Sequence, residues 1–461
     1  MIFSILLAAA APSSVDFVYT GDRAGRVQPC GCPKNPMGHI AQQVTFIDQH
    51  RASKRAGIYF DLGNLFFEAE QSEEVMREPW ARRAAIISRS VARMKLDFLV
   101  PGPKDFLAGF DGYKQLVSGA GVPVLASDLR TADGKAAFEG WRIFERGGRR
   151  ILVVGLAGFQ PSGTDLVVDQ AAKAVKRAAS EAGRHDYLVV ASHIDRKAAA
   201  ALAKAMPSIA AILISDARLH LMAKTEGKVV VVGSSKQGKH LGLLTMTHRR
   251  GGPFALGRDG KKLAAALKKT RSRRKRRSLR EQLRAFDSGN VAEFKLETMG
   301  EERPADDEVS GWVRAYAHFI GKLEAGRSSA TKGYDGGGDF AGDQACAACH
   351  RKAHDVWRGS RHAAAYQSLE ARGQQFDREC IACHSAGWRY PGGFSDPVAI
   401  GILKNVQCES CHGPGKHHAA SGDKALIERG ASGEALCRRC HTKELETGFD
   451  LKTYLPKIKH W

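Results

Sequence analysis

Four copies of a five-residue pattern, Cys-x-x-Cys-His, carry the most specific chemistry in this sequence of 461 residues. They are CAACH (346–350), CIACH (380–384), CESCH (408–412) and CRRCH (437–441). In such a motif two thiols add across the vinyl groups of one haem, and the histidine that follows coordinates the iron from the same turn of chain. The sequence therefore predicts four haem c groups. The predicted attachment cysteines and proximal histidines are Cys346, Cys349, Cys380, Cys383, Cys408, Cys411, Cys437, Cys440, His350, His384, His412 and His441.

Two other chemistries use paired cysteines. Four CxxC pairs could form two Cys₄ zinc sites, but zinc gives no reason for a histidine after every second cysteine. A disulfide across CxxC closes a small strained loop, and such pairs are more often redox-active or metal-binding than structural. The spacing therefore favours haem.

Further histidines in the same segment could occupy the second axial position of an iron, and any of them could equally be an exposed surface residue. Four haems in so short a segment leave little protein for a core, so the porphyrins themselves would form it. Most irons should then carry two histidines, which gives low-spin, low-potential centres suited to electron transfer. The candidates are His354, His362, His417, His418 and His460.

The runs WRGSRHAAA (357–365), CIACHSAGW (380–388), NVQCESCHGPGKHH (405–418) and the closing CRRCH are specific. With them, residues 343–461 resemble the tetrahaem cytochrome c family that accepts electrons from hydroxylamine oxidoreductase. The resemblance implies that His362, either His417 or His418, and His460 are distal haem ligands. It also implies that the haem of the second motif, on His384, is five-coordinate and has an open face.

The long segment before these motifs predicts a scaffold of another kind. Between residues 15 and 254, short apolar runs alternate with amphipathic stretches, which is the βαβ pattern of a largely buried sheet. The predicted strands are 17–20, 56–64, 98–102, 151–158, 187–194, 210–215 and 229–235, and the predicted helices include 73–95 and 170–182.

Six stretches in this scaffold follow a familiar order: YTGDRAGRVQPCGC (19–32), YFDLGN (59–64), VPGPKDF (100–106), ASHID (191–195), AILISDAR (211–218) and VVVVGSSKQGKHLG (229–242). In order and spacing they resemble the calcineurin-like metallophosphoesterases, in particular the N-terminal domain of 5′-nucleotidases. The resemblance implies an α/β sandwich, followed here by a helical linker and a mostly α, haem-packed multihaem cytochrome c domain.

The metal ligands of that family are mostly missing. A two-metal phosphatase needs an aspartate that bridges both ions, so that a metal-bound hydroxide can attack phosphorus. Asp22 and His193 remain, but a cationic or apolar side chain cannot hold a divalent cation. We therefore predict no dinuclear centre, no hydrolysis and no catalytic residue, with His193 packed at a strand end. The replacements are Ala24 for a histidine, Asn64 for the bridging aspartate, Pro103 and Lys104 for an Asn-His pair, and Asp216 and Arg218 for two histidines.

The two remaining cysteines, Cys30 and Cys32, are separated by one glycine. A disulfide between them is possible in an oxidising compartment but strained, and two free thiols could bind a soft metal or act as a redox switch. The spacing favours a structural or redox disulfide.

Residues 259–325 predict helix with a very basic face, densest from Lys268 to Arg280. It is either a solvated linker or a contact surface for an acidic partner or an anionic membrane. The chain as a whole has a net charge of +21, which four haems would offset with roughly eight propionates. We therefore expect an acidic redox partner protein, with membrane-surface contact as the alternative. Nucleic acid is excluded as a partner if the chain is exported.

The N-terminus, MIFSILLAAAAPSS, has a short apolar run that ends in small residues, as a secretory signal does before its cleavage site. A buried first strand is the alternative. No other stretch approaches the roughly 18 apolar residues of a membrane span, so we expect a soluble periplasmic or otherwise exported protein. The predicted divisions are a signal peptide (1–14), a degenerate metallophosphoesterase-like domain (15–257), a basic helical linker (258–335) and a tetrahaem domain (336–461).

Three functions remain open. The first is an electron carrier in which the inactive α/β domain serves docking. The second is a haem-based oxidoreductase that acts on a small nitrogen or sulfur species at an open iron on His384. The third, disfavoured by the missing ligands, is an active metal-dependent phosphoesterase.

Overall fold

The structure is a computed structural model of the protein. It describes residues 13–29, 36–68, 74–215, 223–249, 252–330, 340–371, 374–375, 378–388, 390, 392–394, 401–427, 433–442 and 448–460. Most of the predicted signal peptide (1–12), Cys30, Cys32, Asp216 and Arg218 lie outside these residues. The described chain forms two compact units, the first ending at Ser310 and the second beginning at Gly311.

The first unit contains two six-stranded sheets and a short two-stranded pair. The strand order is β13-β14-β12-β1-β2-β3 in one sheet and β10-β11-β9-β8-β6-β5 in the other, and β4 pairs with β7. The strands are β1 (Ser13–Thr20), β2 (Gly57–Asp61), β3 (Phe98–Leu99), β4 (Leu129–Arg130), β5 (Trp141–Arg146), β6 (Arg149–Leu156), β7 (Val167–Val168), β8 (Tyr187–Ser192), β9 (Ile209–Ile214), β10 (Lys224–Glu226), β11 (Val229–Val232), β12 (His240–His248), β13 (Phe254–Leu256) and β14 (Asn290–Thr298).

The helices flank these sheets or follow them along the chain. Those that begin in the first unit are α1 (Ile40–Ala52), α2 (Glu74–Met94), α3 (Gly109–Ala120), α4 (Ala171–Ala182), α5 (Arg196–Ala205), α6 (Gly257–Lys269), α7 (Arg273–Asp287) and α8 (Asp307–Ala330). Those of the second unit are α9 (Asp343–Ala347), α10 (Arg351–Arg358), α11 (Ala365–Glu370), α12 (Arg378–His384), α13 (Cys408–His412), α14 (Lys416–Ser421), α15 (Glu434–Cys437) and α16 (Leu451–Tyr454).

One apolar core joins the two sheets, because inward-facing side chains of both belong to it. Phe17, Phe60 and Leu244 come from the first sheet, and Val189 and Leu213 from the second. The second sheet is apolar on its other face too, where α4 and α5 pack. Strands buried on both faces contain near-continuous Val, Ile and Leu. This is the predicted α/β sandwich.

The predicted basic linker is wrong in one respect. Residues 258–335 do not run on as helix, because β14 interrupts them and pairs antiparallel with β12, from Val291 opposite Thr247 to Thr298 opposite His240. The segment NVAEFKLET alternates small or apolar with charged residues at period two, which suits a strand with one face against a core. The first unit therefore extends beyond residue 257, and α6 and α7 are part of it.

The second unit has a small apolar cluster. It surrounds the second CxxCH motif and contains Phe340, Tyr366, Leu369, Ile381, Ala386, Phe394 and Leu403. Among the described residues, no helix of either unit is long and apolar enough to cross a membrane.

Candidate functional site

The CxxCH motifs are held by short helical turns. The amide of His350 donates to the carbonyl of Cys346, and that of His441 to the carbonyl of Cys437, both at 2.9 Å. These bonds are the i to i−4 bonds of a helix. They place each motif histidine one turn after the first cysteine of its motif.

Three motif histidines each lie against a second histidine from a distant part of the unit. The ring centres are 6.1 Å apart for His350 and His418, 6.2 Å for His362 and His441, and 5.9 Å for His412 and His460. Two imidazoles that coordinate opposite faces of one metal, at about 2.0 Å each, have ring centres roughly 6 Å apart. The separations therefore fit one iron between each pair of rings.

The structure also distinguishes two adjacent candidates on α14. His418 is the residue whose ring lies against His350, and it is partly buried, whereas His417 is exposed. Neighbouring helical residues point in different directions. His362 and His460, the other two predicted distal ligands, both lie against a motif histidine.

Backbone carbonyls orient several of these rings. The Nδ1 atom lies 2.9 Å from the Asp423 carbonyl in His418, 2.8 Å from the Ile458 carbonyl in His460 and 2.7 Å from the Ala365 carbonyl in His384. A carbonyl only accepts, so Nδ1 carries the proton and Nε2 keeps its lone pair. This is how a carbonyl fixes the tautomer of a metal-ligating histidine.

His362 is held in the neutral form that coordination requires. Burial lowers its pKa, and the nearby His441 and His384 lower it further. A metal ligand must be deprotonated at the coordinating nitrogen. The environment of His362 therefore favours coordination at neutral pH.

The attachment cysteines of different motifs lie side by side. A hydrogen bond between the thiols of Cys346 and Cys408 raises the pKa of the first and lowers that of the second. A hydrogen bond to Cys383 raises the pKa of Cys440. The motifs are thus adjacent in the pairs first–third and second–fourth.

The third and fourth motifs are linked as well. Burial raises the pKa of Cys411, and the neighbouring thiols of Cys437 and Cys408 raise it further. The four motifs therefore form a continuous series in the order first, third, fourth, second. Within the described residues, no group of three or more His, Cys, Asp or Glu side chains has the geometry of a metal-ion site.

His354, the remaining candidate histidine, is buried and makes contacts that hold two helices together. It is 6% exposed, and its Nε2 lies 2.9 Å from Asp343 Oδ2. Its ring centre is 5.2 Å from that of Trp357, whose indole donates to the carbonyl of Val406 at 2.7 Å. His354 therefore ties α10 to the start of α9.

Glu409, inside the third motif, connects three segments of the second unit through hydrogen bonds. It is 3% exposed, and its carboxylate accepts from the amides of Ala341, Gly342 and Gly415, each at 2.8 Å. This role of Glu409 could not be predicted from the sequence, because the residues between the motif cysteines follow no pattern of their own.

In the first unit, the residues that correspond to phosphoesterase ligands follow the carboxyl ends of the parallel strands. The loops after β1 and β2 are interlocked, since the amide of Asp22 donates to Gly63 at 2.7 Å and that of Ala24 to Asn64 at 2.7 Å. Asp22, Ala24, Asn64 and Gln237 all have positive φ, between 50° and 56°. Non-glycine residues with positive φ cluster at functional sites. These loops therefore have a backbone geometry that is typical of a functional site.

The side chains at this edge differ from a metal site. Asn64 Nδ2 donates to Asp22 Oδ1 at 3.0 Å, and two ammonium groups flank the same carboxylate, Lys104 at 4.0 Å and Lys236 at 3.9 Å. His193 Nδ1 donates to the Leu62 carbonyl at 2.7 Å, and its pKa is lowered mainly by burial. Lys104 and Lys236 thus lie beside Asp22, the one carboxylate at a family ligand position that the structure describes.

Lys236 was not identified from the sequence. It comes from the loop after β11, where SSKQG contains no family ligand. Only the fold brings this loop next to Asp22, through the amide of Gln237, which donates to the Asp22 carbonyl at 2.8 Å.

Comparisons with known proteins agree with this two-part description. A family model described as "Cytochrome c554 and c-prime" matches residues 345–413, and one described as "Doubled CXXCH motif" matches residues 401–446. Cytochrome c-554 of Nitrosomonas europaea is 29% identical over an alignment of 134 residues, and the match covers 22% of this chain and 57% of that protein. The chain thus spans a little over half the length of that relative.

The first unit has its own structural relatives. A 5′-nucleotidase precursor from Thermus thermophilus superposes with a TM-score of 0.51 and 17% identity, and covers 67% of this chain and 59% of its own. A protein described as a 5′-nucleotidase from Staphylococcus aureus gives 0.50 and 15%, with the same coverage. At this identity the likeness shows the fold alone. The chain therefore joins a metallophosphoesterase-like α/β unit to a haem c-binding region similar to cytochrome c-554.

Proposed function

We propose that this protein is an exported tetrahaem c-type cytochrome that transfers electrons, with an α/β unit that has no catalytic role. The three histidine pairs, with ring centres 5.9–6.2 Å apart, carry the proposal. Two histidines on one iron give a low-spin centre that has no vacant position for a substrate. Such centres suit electron transfer.

Three of the four irons would each be held by two histidines far apart in the chain. His350 would pair with His418, His412 with His460, and His441 with His362, while His384 would hold the haem of the second motif. The eight motif cysteines would form the thioether bonds. When bound, haem supplies reversible one-electron chemistry at iron.

The four-haem stoichiometry is supported by the continuity of the motifs. Cysteine thiols of the first and third motifs, and of the fourth and second motifs, are hydrogen-bonded to each other, and the thiol of Cys437 in the fourth motif raises the pKa of Cys411 in the third. Electrons could therefore pass along the unit through closely spaced sites.

The lysines beside Asp22 support a non-catalytic α/β unit. A divalent cation there would meet the ammonium groups of Lys104 and Lys236, both of which lie within 4.0 Å of the only acidic ligand described. Like charges at such distances repel strongly where the site is partly buried. We propose that this unit serves as a scaffold.

A second candidate function is oxidation or reduction of a small nitrogen or sulfur species at the His384 haem. The apolar cluster around the second motif favours it, because Ile381, Phe394 and Leu403 would form a dry environment beside that haem. Only an open position on this iron would permit the reaction.

We further propose a periplasmic or otherwise exported location and a protein redox partner. The apolar N-terminal run supports export, and the net charge of +21 supports an acidic partner.

Stoichiometric reduction of the holoprotein tests the electron-transfer proposal. We expect reversible uptake of four electrons per chain, followed spectroscopically, and no release of phosphate from nucleotides. Uptake of fewer than four electrons, or metal-dependent hydrolysis, would contradict it.

A further inference from the structure

The end of α6 and the first half of α7 carry a dense set of exposed cations that no described acidic side chain neutralises. Six exposed residues define this basic surface, and within the described chain none of the six side chains forms an ion pair. They are Lys268, Lys269, Arg273, Arg274, Lys275 and Arg280.

Elsewhere in the first unit, arginines usually have acidic partners. The pairs include Arg55–Asp16, Arg142–Glu139, Arg150–Glu145, Arg177–Asp169 and Arg303–Glu297. The basic surface therefore differs from the rest of the first unit, in which arginines usually form ion pairs with acidic residues.

The charges are also unfavourable for the helix that bears them. The first turn of α7 contains Arg273, Arg274, Lys275 and Arg276 and no acidic residue. Cations at a helix N-terminus oppose the helix dipole, and like charges three or four residues apart repel one another. Nothing in the stability of α7 accounts for this arrangement, so a binding partner is the better explanation.

The apolar side chains of α7 face inward. Leu279 is 8% exposed, Leu283 and Phe286 are partly buried, and Phe286 packs so closely on Gly260 of α6 that a β-carbon there would lie 2.3 Å from its ring. Along both helices, which are described throughout, no large apolar side chain is exposed. The surface is charged without an apolar anchor.

This composition separates two kinds of partner. Protein interfaces are centred on aromatic or apolar residues and are depleted in lysine. A layer of anionic lipid head groups needs only clustered lysine and arginine, each contributing through its charge near the membrane. The basic surface has the second composition.

We infer that the basic surface of α6 and α7 binds the head groups of an anionic phospholipid bilayer. Without an exposed apolar residue the contact stays at the head groups and does not enter the acyl region. It holds the first unit at a membrane surface reversibly, whatever the haem content of the second unit.

Sedimentation of the holoprotein with lipid vesicles tests this inference. We expect binding to vesicles of equimolar phosphatidylglycerol and phosphatidylcholine, and none to pure phosphatidylcholine. Raising the salt from roughly 0.1 M to roughly 1 M shortens the Debye length from about 10 Å to about 3 Å and should release the protein.

Two variants with equal charge change locate the contact. In the first, Arg273, Arg274, Lys275 and Arg280 become Gln. Each cation near an anionic bilayer contributes roughly fivefold, so the partition coefficient should fall at least about a hundredfold. In the control, Lys173, Lys176, Lys197 and Lys204, exposed on α4 and α5, become Gln. Binding should then change less than about threefold, since these charges would lie beyond the reach of the head groups.

Equal losses in the two variants would overturn the inference, since net charge alone would then govern binding. The inference would also be overturned if the wild-type protein did not bind the anionic vesicles but bound poly-L-glutamate through the same four residues. The partner would then be an acidic protein. Removing repulsive charges should leave the melting temperature of the first variant unchanged or higher, so loss of folding would not imitate loss of binding.

Discussion

The pairing of His418 with His350 can be tested against its neighbour in the chain. Replacing His418 with alanine removes the imidazole whose ring centre lies 6.1 Å from that of His350. The methyl group of alanine cannot coordinate, and the adjacent His417 is exposed whereas His418 is partly buried. One iron of the proposed four should then lose one axial ligand.

The expected change is one haem equivalent per chain. Carbon monoxide binds a reduced haem that has a vacant axial position, so its uptake counts open irons. The resemblance to the tetrahaem family implies one open iron in the wild type, on His384. We expect two in His418→Ala, and one in the matched control His417→Ala.

The assay is a carbon monoxide difference spectrum of the reduced holoprotein, normalised to haem content. Unchanged haem content shows that the thioether bonds and the fold survive. An increase in His417→Ala, or none in His418→Ala, would refute the pairing inferred from the ring geometry.

Three other predictions test contacts of Glu409, Asp16 and Asp22. Glu409→Gln replaces one of the two carboxylate oxygens that accept three amides, so guanidinium unfolding should show a loss of about 2 kcal/mol. The exposed control Glu434→Gln, which alters an i to i+4 pair, should lose less than about 0.5 kcal/mol. Asp16→Asn should lower stability by about 2 kcal/mol at pH 7, as measured by urea unfolding. Burial would raise the pKa of Asp16, but its bonds to His50, Arg55 and Thr245 outweigh burial and lower it. Its contribution is therefore complete above the unfolded pKa of about 3.9 and is lost progressively as the pH falls from there through the lowered folded-state pKa. Manganese, zinc or cobalt should neither raise the melting temperature of the wild type nor produce hydrolysis of aryl phosphates, because Lys104 and Lys236 flank Asp22.

Each of these has a clear contrary result. Equal losses in Glu409→Gln and Glu434→Gln would show that the three amides do not depend on the buried carboxylate. A difference between wild type and Asp16→Asn that is as large at pH 2 as at pH 7 would show that the pKa of Asp16 is not lowered by folding. Metal-dependent stabilisation would place a cation where we infer repulsion.

Some features could be predicted from short stretches of sequence because their signal is local. The CxxCH spacing puts two thiols and an imidazole on one turn of chain, and the apolar runs near Val153, Val189 and Leu213 predict buried strands. Both patterns depend only on residues close together in the chain.

Other features depend on tertiary structure, and the sequence could not supply them. His417 and His418 have the same side chain and adjacent positions, so only the orientation of α14 distinguishes them. Strand β14 could not be predicted from the sequence. Its alternation of apolar and charged residues is short, it follows two basic helices, and its partner strand β12 lies far away in the chain. The approach of Lys236 to Asp22 requires two loops from different strands.

Haem content per chain tests the central proposal most directly. The holoprotein, matured with a cytochrome c assembly system, would be measured by alkaline pyridine haemochrome against protein concentration from amino-acid analysis. We predict four haems per chain, one for each CxxCH motif. A value of three or fewer in fully matured protein would contradict the tetrahaem assignment, and the unmodified cysteines would then have another chemistry.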